Sequence, residues 1–186
     1  MLLREQANFD LALKLRQGNA TIGEIYTFIS GLYFRGKMAY AEAFRAAPRD
    51  IPPVLVIVPG AGLVPPETPV AIEQLHAVAG VPVEEGNRAY RDALLRAAIL
   101  LDRHAGPACS YVLLGSVASG KYTGPLLEVF GERLVFPLDF VGRGDMSRGG
   151  LMLRCARSGV ELPCVPVQGA ALHGARPPRL ERWRKP

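Results

Sequence analysis

Through the first quarter of the chain apolar residues recur every three or four positions. Beyond it they gather into short unbroken runs separated by glycine-rich polar turns. Leu3, Ala7, Leu11 and Leu15 give residues 2–17 one apolar stripe, the spacing of an amphipathic helix, and Gly18-Asn19 supplies a stop. Thr21 followed by Glu24 is the capping-box pattern, in which each side chain satisfies the other residue's free amide. It opens an aromatic-rich helix through Ile25, Tyr26, Phe28 and Ile29 that bends or breaks at Ser30-Gly31. A third helix is predicted over 33–47, with Phe34, Met38, Ala41 and Phe44 on one buried face and Pro48 as its end.

The first unbroken run, V-L-V-I-V at 54–58, has no alternation, as expected of a strand buried on both faces. It empties into G-A-G-L-V-P-P-E-T-P. Helices are predicted at 71–79 and 87–104, then a second strand at 109–114 that stops at Gly115, and a helix around 125–130. A third strand at 133–138 leads through Asp139 to a helix at 151–157. The run 160–167 is a last strand at a sheet edge, because Pro163 and Pro166 cannot donate ladder hydrogen bonds. Strands alternating with helices predict an α/β fold: a small, mainly parallel sheet with helices on both faces, preceded by an N-terminal helical segment at 1–47. Residues 1–174 read as a single domain and 175–186 as a basic, flexible tail.

Composition narrows the class. With 49% hydrophobic and 21% charged residues in 186, the chain is balanced for a folded globule rather than for disorder. Its longest apolar runs are strand-sized, far short of the roughly 18 residues a membrane span needs. Charges in the first ten residues leave no signal core, so the expectation is a cytoplasmic protein with no membrane partner. Cys109, Cys155 and Cys164 lack C-x-x-C spacing and are expected to be reduced thiols. His76, His104 and His173 are scattered, so neither a metal nor a cofactor is expected. The net charge of +5 is concentrated: residues 175–186 carry five cations against Glu181, a net of +4, which leaves +1 on the rest. That tail reads either as a nucleic-acid-binding segment, with Arg179, Arg182 and Arg184 on phosphates and Trp183 stacked on a base, or as a solvated terminus.

In open α/β sheets, ligands bind beyond the carboxyl ends of the strands, so the turns there are the candidate chemistry. Gly115-Ser116-Val-Ala-Ser-Gly120-Lys121 fits G-x-x-x-x-G-K, but a phosphate-binding loop continues with a magnesium-binding Ser or Thr, and Tyr122 stands there instead. Two readings remain: a strand-to-helix turn relieved by glycines, or helix-end amides that hold another polar ligand together with Ser116 and Lys121. The turn at 140–150 places Arg143, Asp145, Ser147 and Arg148 among four glycines, which combines close backbone approach with fixed-charge donors. Asp145 could equally cap the following helix. The turn at 59–68 offers only Glu67. Upstream, Tyr33-Phe-Arg35-Gly-Lys37 brings an aromatic ring and two cations either to the same cleft or to solvent. No G-x-S-x-G is present, so no hydrolase nucleophile can be nominated.

The succession L-Y-F-R-G-K-M-A-Y-A-E, V-L-V-I-V-P-G-A-G-L-V-P-P, V-L-L-G-S-V-A-S-G-K-Y-T-G-P-L-L and F-P-L-D-F-V-G-R-G resembles the YaaA-like group of bacterial proteins over roughly residues 21–155. It departs from that pattern at Pro59-Gly60-Ala61, where the group has a Ser/Lys/Tyr polar turn. The chain also resembles a second bacterial set sharing G-S-x-A…K-Y and G-R-G-D-M-S-R-G-G blocks. The YaaA-like resemblance implies an α/β fold related to nucleobase-handling glycosidases, with DNA or nucleoside binding. On that reading Asp139 or Asp145 is the catalytic carboxylate, Arg143 and Arg148 hold phosphate, and Tyr33 or Tyr122 stacks on a base. The partner expected is a nucleotide-like small molecule or a nucleic acid. A scaffold protein in which these turns are purely structural is the remaining alternative.

Overall fold

A computed structural model describes residues 2–4 and 6–180 of the chain. The first helix, α1 (Asp10–Arg16), is shorter than its apolar stripe. It stops where the sequence says it should: Asn19 N–H donates to the Lys14 carbonyl (2.8 Å) and Gly18 N–H to that of Leu15 (3.1 Å). Strand β1 (Ala20–Thr21) leads into the long helix α2 (Ile22–Phe44) through the expected capping box. There the Glu24 N–H donates to Thr21 Oγ1 (3.3 Å) and the Thr21 N–H to Glu24 Oε2 (2.9 Å). Gly31, at φ 55° and ψ −127°, leaves the helical conformation midway, so α2 is two helical halves joined at a kink where the sequence places the bend.

Strands β2 (Val56–Val58) and β3 (Gly62–Val64) form an antiparallel hairpin, and β4 (Pro69–Val70) pairs with β1. Two helices follow, α3 (Ile72–Ala79) and α4 (Arg88–Ala105). The Asn87 side chain caps α4 by accepting the Ala89 N–H (3.0 Å). Strand β5 (Tyr111–Val112), helix α5 (Gly120–Phe130) and strand β6 (Leu134–Pro137) make one parallel crossover unit. A single 3-10 turn at 138–140 then leads to α6 (Asp145–Ser158) and to β7 (Cys164–Pro166), an antiparallel edge strand on β6.

The α/β character is therefore as expected, but a mainly parallel sheet is not what these strands form. Among the described residues, β5–β6 is parallel and the three other pairings are antiparallel, spread over three small sheets. An unbroken apolar run reports burial and says nothing of strand direction. Pro59-Gly60 turns the chain back, with the Ala61 N–H donating to the Val58 carbonyl (3.0 Å), so Val56–Val58 pairs with its own continuation. Gly62, at φ 84°, then lies against α4 so closely that a β-carbon there would sit 2.6 Å from the Ala93 carbonyl oxygen.

Two apolar clusters hold the fold. One gathers Leu15, Ile22, Ile25, Phe34, Val56 and Val58 around α1 and the hairpin. The other gathers Tyr40, Leu94, Leu126, Leu134, Phe136, Phe140 and Met152 around the β5–β6 unit. Helix α2 contributes to both, and its second half packs on α6. A β-carbon on Gly36 would sit 2.6 Å from the Gly149 carbonyl oxygen, and one on Gly149 would sit 2.9 Å from Tyr33 Cα. Only hydrogen fits at either position. Cys109, Cys155 and Cys164 are free thiols. Among the described residues no helix is long and apolar enough to cross a membrane.

Candidate functional site

The two parallel strands end side by side, and the helices that follow them, α5 and α6, start at that edge. Helix α2 joins them there: the Tyr33 hydroxyl donates to the Leu114 carbonyl (3.4 Å), two residues past β5. The turn 115–119, with Gly115 and Ser116 half-buried, occupies the same edge. Helix α5 starts at Gly120, so Lys121 and Tyr122 lie in its first turn rather than in a loop. Helix α6 starts at Asp145, six residues before the helix expected at 151, because Gly149 and Gly150 act as contact positions for α2 and the C-terminal segment, not as breakers. Most of the polar turn expected at 140–150 is thus helix.

Five side chains from three distant segments act on one another at this edge: Tyr33 and Lys37 of α2, Tyr122 of α5, and Asp145 and Arg148 of α6. The Lys37 ammonium lies over the Tyr33 ring, 4.1 Å from its centroid. Arg148 is 8% exposed, and its Nε and Nη2 both donate to the Phe140 carbonyl (3.1 and 3.0 Å). Its Nη1 remains 3.8 Å from Asp145 Oδ1, in an ion pair whose carboxylate side chain is 66% exposed.

Burial sets the electrostatics. It raises the Tyr33 phenol, with Arg148 pulling the other way, and raises the Tyr122 phenol, with the Asp145 charge adding to the effect. Burial also brings the Lys37 ammonium down to about 8; Arg148 pushes it the same way and Asp145 opposes. Behind these groups stand Tyr26, raised to about 12 by burial and then by Tyr122, and Tyr90, raised mainly by burial. The Tyr90 hydroxyl and Ser119 Oγ are buried without a hydrogen-bond partner among the described residues.

Other sequence candidates go elsewhere. Arg143 ties the chain together: its Nε donates to the Asp139 carbonyl (3.0 Å), its Nη1 to Ser147 Oγ and to the Pro178 carbonyl (both 3.4 Å). Asp139 is exposed on the 3-10 turn, where its backbone carbonyl accepts from Arg143 and its charge acts on Cys155. Arg35 is exposed on α2. Lys121 lies over the Tyr122 ring (5.1 Å) and lines a cavity of about 230 Å³ between α4 and α5 with Glu85, Tyr90, Arg91 and Glu128. Arg179 is exposed, whereas Arg182, Trp183 and Arg184 lie outside the described residues. Among the described residues no three His, Cys, Asp or Glu side chains come together as a metal site.

Sequence reasoning named four of the five central residues and treated Lys37 only as a companion of Arg35. A stronger signal was available. Lys37 follows Tyr33 by four and precedes Tyr40 by three, so these three belong to one face of the second half of α2. No family model, no curated protein and no solved structure matches the chain.

Proposed function

We propose that the chain binds a nucleobase, nucleoside or nucleotide where α2, α5 and α6 meet, and that its chemistry, where it has one, is cleavage of an N-glycosidic bond. What supports this reading is the convergence of Tyr33, Tyr122, Asp145 and Arg148 beyond the ends of the two parallel strands. The phenol rings offer stacking faces, worth about 1–3 kcal/mol per base. Arg148 is held rigid by Phe140, and its Nη1 faces Asp145, so the guanidinium charge sits beside the carboxylate at the junction. Asp145, open to solvent, is the carboxylate in position to steady an oxocarbenium-like sugar or activate water. The partner on this reading is a nucleotide-like small molecule, and the setting is cytoplasmic.

Calorimetric titration with nucleobases, nucleosides and nucleoside 5′-monophosphates tests it. Binding by at least one class is expected. Tyr33→Ala and Tyr122→Ala should each weaken it by about 5- to 100-fold, while Asp145→Asn keeps binding and loses base release. Absence of heat with all three classes rejects the reading.

A scaffold role is the second reading, favoured by one observation: Arg143 ties the start of α6 to the Asp139 carbonyl and to the Pro178 carbonyl of the C-terminal segment. It predicts that Arg143→Ala lowers the melting temperature and that no ligand of these classes restores it.

A further inference from the structure

We propose that the cleft between α4 and α5 binds a free α-amino acid, with the ligand's ammonium on Glu85 and its carboxylate on Lys121. This goes beyond the nucleotide reading, since it uses other side chains and a separate cavity.

The cleft encloses about 230 Å³, and its walls include Glu85, Tyr90, Arg91, Lys121 and Glu128. That is below the roughly 300–1,000 Å³ of pockets for drug-sized ligands, so the space suits a molecule of amino-acid size rather than a nucleotide. The four charges around it are not equivalent. Arg91 and Glu128 neutralise each other in an ion pair that bridges α4 and α5. Glu85 and Lys121 form no ion pair with each other or with any other described residue. One carboxylate and one ammonium therefore line the same small volume uncompensated, and the ligand that compensates both is a zwitterion. Tyr90 is 1% exposed and its hydroxyl has no hydrogen-bond partner among the described residues, so the wall also holds an unused polar group.

Both charged groups are held in place. The Asn87 N–H donates to the Glu84 carbonyl (3.1 Å) and Asn87 Nδ2 to the Pro82 carbonyl (2.7 Å), which closes the turn that carries Glu85. The Glu85 carboxylate rests on Gly120: a β-carbon there would sit 2.6 Å from each of its oxygens. Lys121 is the next residue, in the first turn of α5, and its ammonium lies 5.1 Å from the centroid of the Tyr122 ring. Two pre-positioned groups of opposite sign recognise ammonium and carboxylate together. A ligand with only one of those charges leaves the other group unpaired.

Each of the twenty standard α-amino acids would be titrated calorimetrically into the full chain at neutral pH. At least one should bind. Its deaminated and decarboxylated analogues, which keep the side chain and lose one charge, should each bind about 10- to 100-fold more weakly. Glu85→Gln and Lys121→Gln should each cause a loss of that size, while Lys14→Gln, a matched charge loss outside the cleft, should cause none. Gly120→Ala keeps every charge, yet its methyl displaces the Glu85 carboxylate and should also weaken binding. Melting temperatures of the variants separate lost contacts from lost fold. Absence of heat with all twenty, equal affinity for a single-charge analogue, or unchanged affinity in either Glu85→Gln or Lys121→Gln would overturn the inference. Nucleotide titration at the α2–α6 junction is a separate measurement, so the two readings fail independently.

Discussion

The Tyr40 hydroxyl accepts the backbone N–H of Leu162 at 2.8 Å, and both residues are buried. Because Tyr40 is on α2 and Leu162 precedes the edge strand, one side chain joins elements 122 residues apart. Removing the oxygen leaves a buried amide without a partner, which costs about 1–3 kcal/mol. Tyr40→Phe is therefore expected to lower the unfolding free energy by that amount in a denaturant titration, with no change in the dependence on denaturant concentration. The same residue-level accounting separates the two arginines that the sequence presented as equivalent phosphate ligands. Arg143 spends its donors on Asp139, Ser147 and Pro178, whereas Arg148 spends two donors on Phe140 and turns the third nitrogen toward Asp145. Residue type and spacing alone do not distinguish a clamp from a ligand, because the acceptors that decide it are backbone carbonyls brought in by the fold.

At the scale of elements, the crossing of α2 over α6 fixes the site. Gly36 and Gly149 let the two helices approach until backbone meets backbone, and that brings Tyr33 and Lys37 beside Asp145 and Arg148. A methyl group at 149 would overlap Tyr33 Cα and the Leu32 carbonyl, which are backbone atoms and cannot rotate aside. Gly149→Ala should accordingly cost about 1–3 kcal/mol and also weaken any ligand held at the junction. Gly124→Ala, an interior position of α5 where nothing lies within 4 Å of the new β-carbon, is the matched control and should do neither. Thermal unfolding combined with ligand titration on the two variants checks both parts. Gly149 and Gly150 were read from the sequence as loop glycines giving a ligand access. Their contacts are not legible in the sequence, since the surface that meets Gly149 lies more than a hundred residues earlier and the Leu180 side chain that meets Gly150 lies thirty residues later.

Across the whole molecule, α2 runs from one apolar cluster to the other, with Phe34 in the first and Tyr40 in the second, and the C-terminal segment lies over the start of α6. A β-carbon on Gly142 would fall on the Ala175 carbonyl oxygen, Pro178 accepts from Arg143, and Leu180 reaches Gly150. Ending the chain after Gly174 should thus lower stability by about 1–2 kcal/mol through the lost charged hydrogen bond and apolar cover; an unchanged melting temperature would show that these contacts contribute nothing. By itself the sequence determined the local features. It specified the capping box at Thr21 and Glu24, the stop at Gly18 and the bend at Gly31, since each depends on residues a few positions apart. Tertiary structure decided the rest: β2 pairing back on β3 instead of entering a parallel sheet, Lys121 facing α4, Asp139 lying toward Cys155, and Lys37 joining Tyr33, Asp145 and Arg148. These outcomes depend on which surfaces meet. Chain direction and helix packing, not local residue pattern, set that meeting.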